Sequence, residues 1–542
     1  MYNCPNCSGN LSFDIASQTL MCDYCKTQLD PYEYEKTQDA EENDVYGVQV
    51  FTCPQCGGEI MTTNVTAAGF CTYCGASTIL DSRMREEKRP THIIPFSRTK
   101  EDCQKAYASF VKRALFAPGE FRDPEYLSRF RGIYIPYWVY TYKLNGNLRM
   151  YGTRTHRRGD YKVTDHYTLT GQVDASYEGL HYDASSSFDD TVAESIAPYE
   201  RAKFQPFTPS ILCGFYADAP DVKSHVYAKD AADTVCDDAM DRLSGVPEYR
   251  QHGLTLPSAE QFRSVSRYGL QLKGEEPVCA YLPVWFLTYR KNDRVAYAVM
   301  NGSTGKITAD LPVDEKKYVF GSLLLAIPIF AALAFFFTMT GQMVLTTASV
   351  LALVSLVIYT IETSAISDKD THAKDKGYNE PGDPGNAKTL HHPSKKKELE
   401  KKGQSVKKSF VLAFPFIVLL IIAAIPFVED IIEGTLSAYK IYAILSALLL
   451  FGDLYFMHWF AESQTASRHM YLHTAGSTIA VIAAAGVLLW NPPSDIWYYA
   501  GTILAAIGVC LTFLGVISKY NVLATRPIPT FYDRKGGNDR AR

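Results

Sequence analysis

Cys4-Pro5-Asn6-Cys7 with Cys22-Asp23-Tyr24-Cys25, then Cys53-Pro54-Gln55-Cys56 with Cys71-Thr72-Tyr73-Cys74, decide how the first part of this chain folds. Fourteen residues separate the two knuckles of each set, and the second set repeats the first after 49 residues. A Cys-x-x-Cys turn aims two thiolates at one point. Two such turns at the ends of a short hairpin close a tetrahedral sulphur site that is saturated and therefore structural. Gly57, Gly58 and Gly75 follow knuckles where the chain must turn sharply. Units this small bury too little apolar surface to fold alone, so the metal supplies folding energy. The sequence thus predicts two zinc ions, one on Cys4, Cys7, Cys22 and Cys25 and one on Cys53, Cys56, Cys71 and Cys74. The rival readings are disulfides or a redox pair, and disulfides require an oxidising compartment.

The other cysteines of the 13 are Cys103, Cys213, Cys236, Cys279 and Cys510. They are scattered and read as buried thiols. Between Met1 and Asp81 there are eleven Asp or Glu but only Lys26 and Lys36 as cations. A phosphate-binding module needs the opposite sign, so the ribbons are not expected to hold nucleic acid. Residues 1–10 carry a knuckle and no apolar core, so no secretory signal is expected.

Beyond residue 316 or so the composition changes. Val319 to Ile361 contains no charge until Glu362, which is too long for one span and suits two, with a turn near Gly341-Gln342. Further apolar runs cover Ser409–Val428, Tyr439–Phe460, His473–Trp490 and Ile496–Ile517. Six membrane helices are expected. Eleven Lys lie between Thr363 and Lys408, and Arg468 and the tail residues Arg526, Arg534, Lys535, Arg540 and Arg542 add to them, whereas the opposite turns are acidic or uncharged. The positive-inside rule puts these segments, and both termini, in the cytoplasm, where thiols stay reduced. The location expected is the plasma membrane, with lipids as partners. The Lys-rich loop, with Pro381, Pro384 and Pro393, is expected to be disordered. Asp453 lies inside an otherwise apolar helix. It is singled out either as a hydrogen-bonded residue near the interface or as part of a polar site between helices for a proton or cation.

Between these halves, Tyr134-Ile-Pro-Tyr-Trp-Val-Tyr-Thr-Tyr-Lys143 and Tyr281-Leu-Pro-Val-Trp-Phe-Leu-Thr-Tyr-Arg290 share five of ten residues. Both read as strands. Helices about Ser97–Leu115 and Ser224–Leu243 precede them, giving a duplicated helix-then-strand unit in an α+β domain. Arg149 to Lys162 reads as a basic, aromatic hairpin turning near Arg158-Gly159, either a solvated sheet face or a phosphate or headgroup site. Gly302-Ser-Thr-Gly-Lys306 fails as a phosphate loop, because Met300 stands where Gly is needed and Ile307 where Ser or Thr is needed. Asn301-Gly302 is expected to make a hairpin turn instead. ATP is therefore not an expected ligand, and no catalytic constellation such as HExxH or GxSxG is present. His458, His469 and His473 cluster in sequence and read as polar anchors rather than a metal site.

The fold class expected is multidomain: two small β zinc ribbons, an α+β domain and a six-span α-helical membrane domain. The divisions are ribbon 1 at 1–30, an acidic linker at 31–48, ribbon 2 at 49–82, the α+β domain at 90–316, helices one and two within 318–362, the Lys-rich loop at 363–408, helices three to six within 409–518, and a basic tail at 519–542.

The paired CPxC…CxYC ribbons, His92-Ile-Ile-Pro-Phe96 and Tyr134-Ile-Pro-Tyr-Trp138 together resemble a bacterial family of membrane-anchored proteins with TFIIB-type zinc ribbons, over roughly residues 1–316. Members are often labelled replication-restart helicases, but this sequence lacks the nucleotide loop that label requires. Some relatives act beside phage-shock membrane-stress proteins as anchors for scaffold proteins. The resemblance implies a non-enzymatic recruitment protein with a cytoplasmic protein partner. A transporter or channel component and a membrane-tethered nucleic-acid-associated protein are the alternatives.

Overall fold

The computed structural model describes residues 2–37, 44–63, 71–76, 81–291, 293–336, 339–379, 438–460, 468–529 and 531. The first ribbon is a three-stranded antiparallel sheet of Leu11–Asp14, Thr19–Cys22 and Gln28–Leu29. Period-two alternation buries Leu11, Phe13, Leu20 and Cys22. The acidic linker is partly structured: Asp30 caps the helix Pro31–Lys36 by accepting from Tyr32 N and Glu33 N.

The second ribbon is not a separate body. Its strands Val45–Thr52, Glu59–Thr62 and Asp81–Lys88 form one end of a thirteen-stranded sheet shared with the middle domain. The sheet's centre is the duplicated unit. Arg131–Arg158 and Val278–Lys291 run antiparallel, pairing Tyr134 with Pro283 and Pro136 with Tyr281 about Ile135–Leu282. The two Tyr-x-Pro-x-Trp copies therefore cross head to tail, related by a pseudo-twofold axis.

The symmetry extends to their neighbours. Short strands at His92–Ile93 and Tyr216–Ala217 run parallel to Val278–Lys291 and Arg131–Arg158 respectively. Helices Lys100–Arg113 and Ala228–Ser244 follow those short strands. Each tryptophan then reaches across. Trp138 Nε1 donates to Val222 O at 2.7 Å and Trp285 Nε1 to Arg98 O at 2.8 Å. Each indole thereby ties its strand to the segment entering the other unit's helix.

Arg131–Arg158 continues into a long hairpin with Tyr161–Asp183, its register kept from Tyr137–Asp183 to Arg158–Tyr161 apart from a bulge at Tyr140/Thr141. The turn is at Gly159, with φ of 63°, where the sequence places it. One hairpin face, with Leu144, Leu148 and Met150, packs on Met240 and Phe262. Beyond residue 153 both strands are exposed.

Among the described residues four helices are long and apolar enough to cross a membrane: Gly341–Asp370, Ala438–Phe460, Met470–Trp490 and Ile496–Leu523. They pack as a bundle. Gly476 and Gly508 let two helix backbones approach closely, since a Cβ on Gly508 would lie 2.6 Å from the Gly476 backbone. A fifth apolar helix, Glu315–Phe336, leaves the sheet domain with Phe320 and Leu323 exposed. The run Ser409–Val428, expected as the third span, lies outside the described residues. The break between the first two helices falls before Thr340, which caps the second by accepting from Met343 N; Gly341 is already helical. That helix runs on to Asp370, eight residues past the expected boundary at 362. Thr363, Ile366 and Ser367 are buried, so packing overrides their Lys-rich surroundings. A short helix, Lys376–Asn379, follows. The first part of the segment expected to be disordered is thus ordered.

Candidate metal centres

All four knuckles share one backbone geometry. In each, the first Cys carbonyl accepts from the residue four positions on: Ser8 at 2.8 Å, Lys26 at 3.1 Å, Gly57 at 2.8 Å and Gly75 at 3.0 Å. The first Cys N–H donates to the residue five on, at 2.8 to 3.0 Å. The fourth-position residue must be left-handed, with φ of 56°, 59°, 73° and 69° in order. The second ribbon uses Gly there; the first accepts the strain of Ser8 and Lys26.

These turns bring the thiols together. Sγ atoms lie 3.5 Å apart for Cys4–Cys25 and 3.4 Å for Cys7–Cys22 and Cys7–Cys25. Cys53–Cys74 and Cys56–Cys71 are each 3.7 Å apart. Four sulphurs at 2.3 Å from a tetrahedral zinc sit about 3.75 Å from one another, so both clusters match that shape. None of the eight cysteines forms a disulfide.

The two clusters differ in setting. Cys7 and Cys25 are exposed, whereas all four thiols of the second cluster are buried. Hydrogen bonds from Thr27 pull the Cys25 thiol down to about 6. The first ribbon docks through Phe13 N, which donates to Cys213 O at 2.9 Å, and Gln18 Nε2, which donates to Phe96 O at 2.8 Å. The second is enclosed. Tyr73 donates to Asp218 Oδ2 at 2.6 Å, and burial, then the Asp218 charge, push its phenol far up. Tyr297 donates to Tyr73 O at 2.8 Å, and Thr288 donates to Thr72 O. The tail closes the site: Phe531 N donates to Cys56 O at 2.6 Å, and its ring meets Tyr73 edge-on.

The helices are bolted to this domain at one end. Arg294 donates to Thr525 Oγ1 at 2.7 Å, to Val522 O at 3.0 Å and to Asp370 Oδ1 at 3.2 Å. Val313 N donates to Asn521 Oδ1 at 2.7 Å, and Asn521 Nδ2 returns to Val313 O at 3.0 Å. Arg526–Pro527 adds a strand beside Arg294–Asn301. Arg526, counted among the basic residues of the tail, is buried in ion pairs with Asp189 at 3.1 Å and Asp310 at 3.7 Å.

A cavity of about 540 Å³ lies at this junction, with Asp189, Asp310, Lys369, His372 and Arg526 in its wall. Beside it a third group of candidate ligands, Asp189, His372 and Asp375, comes together. Burial raises the Asp189 carboxyl, but the Arg526 guanidinium, hydrogen bonds from Thr191 and Val192 N, and His372 together outweigh it and hold the carboxyl low. Burial, then Asp375, pushes Asp190 up to about 6. Sequence reading missed this group because its members come from distant segments, and His372-Ala-Lys-Asp375 looked like part of a solvated charged loop.

The other singled-out residues resolve as follows. Asp453 sits in Ala438–Phe460 with Oδ2 buried and facing the Thr360 hydroxyl of the neighbouring helix. His458 and His473 do not converge: His458 Nδ1 meets Tyr471 OH at 3.0 Å and His473 Nδ1 meets Tyr359 OH at 3.3 Å. Gly302–Lys306 is a hairpin loop between Arg294–Asn301 and Ile307–Ala309, with Asn301 Oδ1 accepting from Ser303 N and Thr304 N at 2.9 Å each.

No family model matches the chain, and no solved structure matches it. The chain is similar to the Bacillus subtilis (strain 168) protein YdjG, described as uncharacterized, with 25% identity over 321 residues, 58% of this chain and 91% of that protein.

Proposed function

We propose that this chain is a membrane-anchored zinc-ribbon scaffold of the TFIIB-type ribbon family, with its sheet domain and both termini on the cytoplasmic face and a docking surface for a protein partner. The observation that carries this reading is the junction. Arg294 and Asn521 fasten the domain holding both Cys4 clusters to the ends of apolar helices, the arrangement a rigid presenting platform requires. Saturated thiol sets favour zinc in a structural role. Envelope stress is the setting that the family resemblance suggests.

Helix direction supports the six-span reading. Asp370 ends its helix at the sheet domain, where Arg294 holds it. Tyr439 and Tyr442, opening the next described helix, pack with Leu345, Leu488 and Tyr498 at the opposite end of the bundle. A chain leaving one end and re-entering at the other crosses an odd number of times between them, and Ser409–Val428 is the one apolar run available.

The test is photocrosslinking in native membranes from Tyr24 on the first ribbon and Tyr161 at the hairpin tip, each 78% exposed. A discrete protein adduct from either position is expected. Absence of adducts from both contradicts the scaffold reading. The transporter reading keeps one observation in its favour: within the helices Asp453 faces Thr360 and Ser349 faces Tyr442 as buried polar pairs, and Glu362 Oε2 is buried with no hydrogen-bond partner among the described residues.

A further inference from the structure

Two stretches distant in sequence meet beside the junction cavity. Asp189 caps the helix Asp190–Ile196 of the sheet domain. His372 and Asp375 follow the end of Gly341–Asp370. Their ligand atoms all lie within 4.8 Å of one another, a few tenths of an ångström beyond the about 4.2 Å that separates opposite members of a coordination sphere of 2.0–2.2 Å bonds, so a small inward side-chain movement would close the sphere. His372 has a left-handed backbone, φ 51°, and its ring stacks on Tyr378 at 3.8 Å between centroids. Its Nδ1 is buried and makes no hydrogen bond among the described residues; Asp375 Oδ2 stands 3.6 Å away. A ring held this firmly, with a bare nitrogen turned on a carboxylate, has the form of a ligand.

A second observation is independent of that triad. Asp183 is 2% exposed and lies against Asp190 and Asp375; its Oδ2 accepts from no N–H or O–H donor among the described residues, and the Asp190 carboxyl is its hydrogen-bonding neighbour. Isolated buried carboxylates are costly unless a proton, a cationic side chain or a metal compensates them. Arg526 serves Asp189 and Asp310. Asp190 accepts from Tyr227 OH at 2.6 Å and from Lys376 N at 2.8 Å, which are neutral donors. Among the described residues no Lys or Arg forms an ion pair within 4.0 Å of Asp183, Asp190 or Asp375; Arg526 acts on Asp375 from farther away, and His372 does so when protonated.

We propose that Asp189, His372 and Asp375 bind one divalent transition-metal ion, with Asp183 and Asp190 supplying compensating charge behind them. One imidazole with carboxylates suits Zn²⁺, Mn²⁺ or Fe²⁺ rather than a thiolate-seeking ion. The ion would cross-link the sheet domain, through Asp189, to the end of an apolar helix, through His372 and Asp375. It is chemically distinct from the Cys4 clusters and reached from the cavity that Asp189 and His372 line.

The experiment uses the full-length protein in detergent with its thiol clusters zinc-loaded. Mn²⁺ is titrated and the free ion read by electron paramagnetic resonance, because Mn²⁺ does not displace zinc from four thiolates. One Mn²⁺ per chain is expected, or a third zinc where zinc outcompetes it. His372→Ala and Asp375→Asn should each weaken it at least tenfold, with zinc at the thiol clusters unchanged. Mn²⁺ should also raise the unfolding temperature of the wild type but not of Asp183→Asn. Neither Mn²⁺ nor a third zinc in the wild type, or equal binding in the variants, overturns the site. A variant that loses its thiol-bound zinc is replaced in the comparison by Asp183→Asn, whose unchanged affinity and thermal shift would also overturn it.

Discussion

At the scale of single residues the strongest constraint is the fourth position after each knuckle's first cysteine. Gly57 and Gly75 take φ values that an L side chain adopts at a cost of about 1–2 kcal/mol. Gly57→Ala should therefore lower stability by about 1 kcal/mol and speed zinc release, read with a colorimetric chelator, while Ser8→Gly should slow release from the first cluster. The knuckles were legible in the sequence because their information is local: four residues and one spacing specify each turn. The junction cluster was not, because Asp183, Asp189, His372, Asp375 and Arg526 each have an ordinary local reading as strand end, helix cap or solvated charge. Only tertiary contact turns them into one site. Asp453 is the intermediate case, since its depth was readable but its neighbour Thr360 was not. If it only accepts hydrogen bonds, Asp453→Asn keeps function and Asp453→Leu alters mainly stability. If it belongs to a polar path between helices, Asp453→Asn abolishes function at normal membrane abundance. Abundance and cellular phenotype of both variants separate these outcomes.

At the scale of elements, internal identity revealed two helix-strand units but not how they interlock. Strand pairing across about 150 residues is non-local, so the crossing at Ile135–Leu282 and the reach of Trp138 and Trp285 to the opposite units lie beyond sequence reading. The pseudo-twofold makes a specific claim: Trp138→Phe and Trp285→Phe each remove one indole N–H and leave one carbonyl unpaired, a loss of about 1–3 kcal/mol apiece. Comparable drops in thermal unfolding temperature are expected; a much larger effect at one tryptophan would show that the two copies are not equivalent in energy. The tail is an element whose role its composition hid. Read as a basic topogenic segment, it instead pairs as a strand and closes the second cluster through Phe531. Truncation after Thr525 should accelerate chelator-driven loss of zinc from the second cluster and leave the exposed first cluster unchanged. Equal acceleration at both would refute the tail's local role.

At the scale of the whole molecule, the division into ribbons, α+β domain and helices was readable from composition and periodicity, but their independence was not. The second ribbon shares its sheet with the middle domain, and the helix ends are tied to that sheet through Arg294 and Asn521. The proposed function places both Cys4 clusters on one body held at the cytoplasmic face of a membrane bundle. A protease site inserted between Gly159 and Asp160, at the exposed hairpin turn, reads that claim directly in the otherwise unaltered protein. The protein is expected to sediment with membranes, to be cleaved in inside-out vesicles and to be protected in right-side-out ones. Cleavage in right-side-out vesicles, or recovery of the intact chain in the soluble fraction, would contradict it.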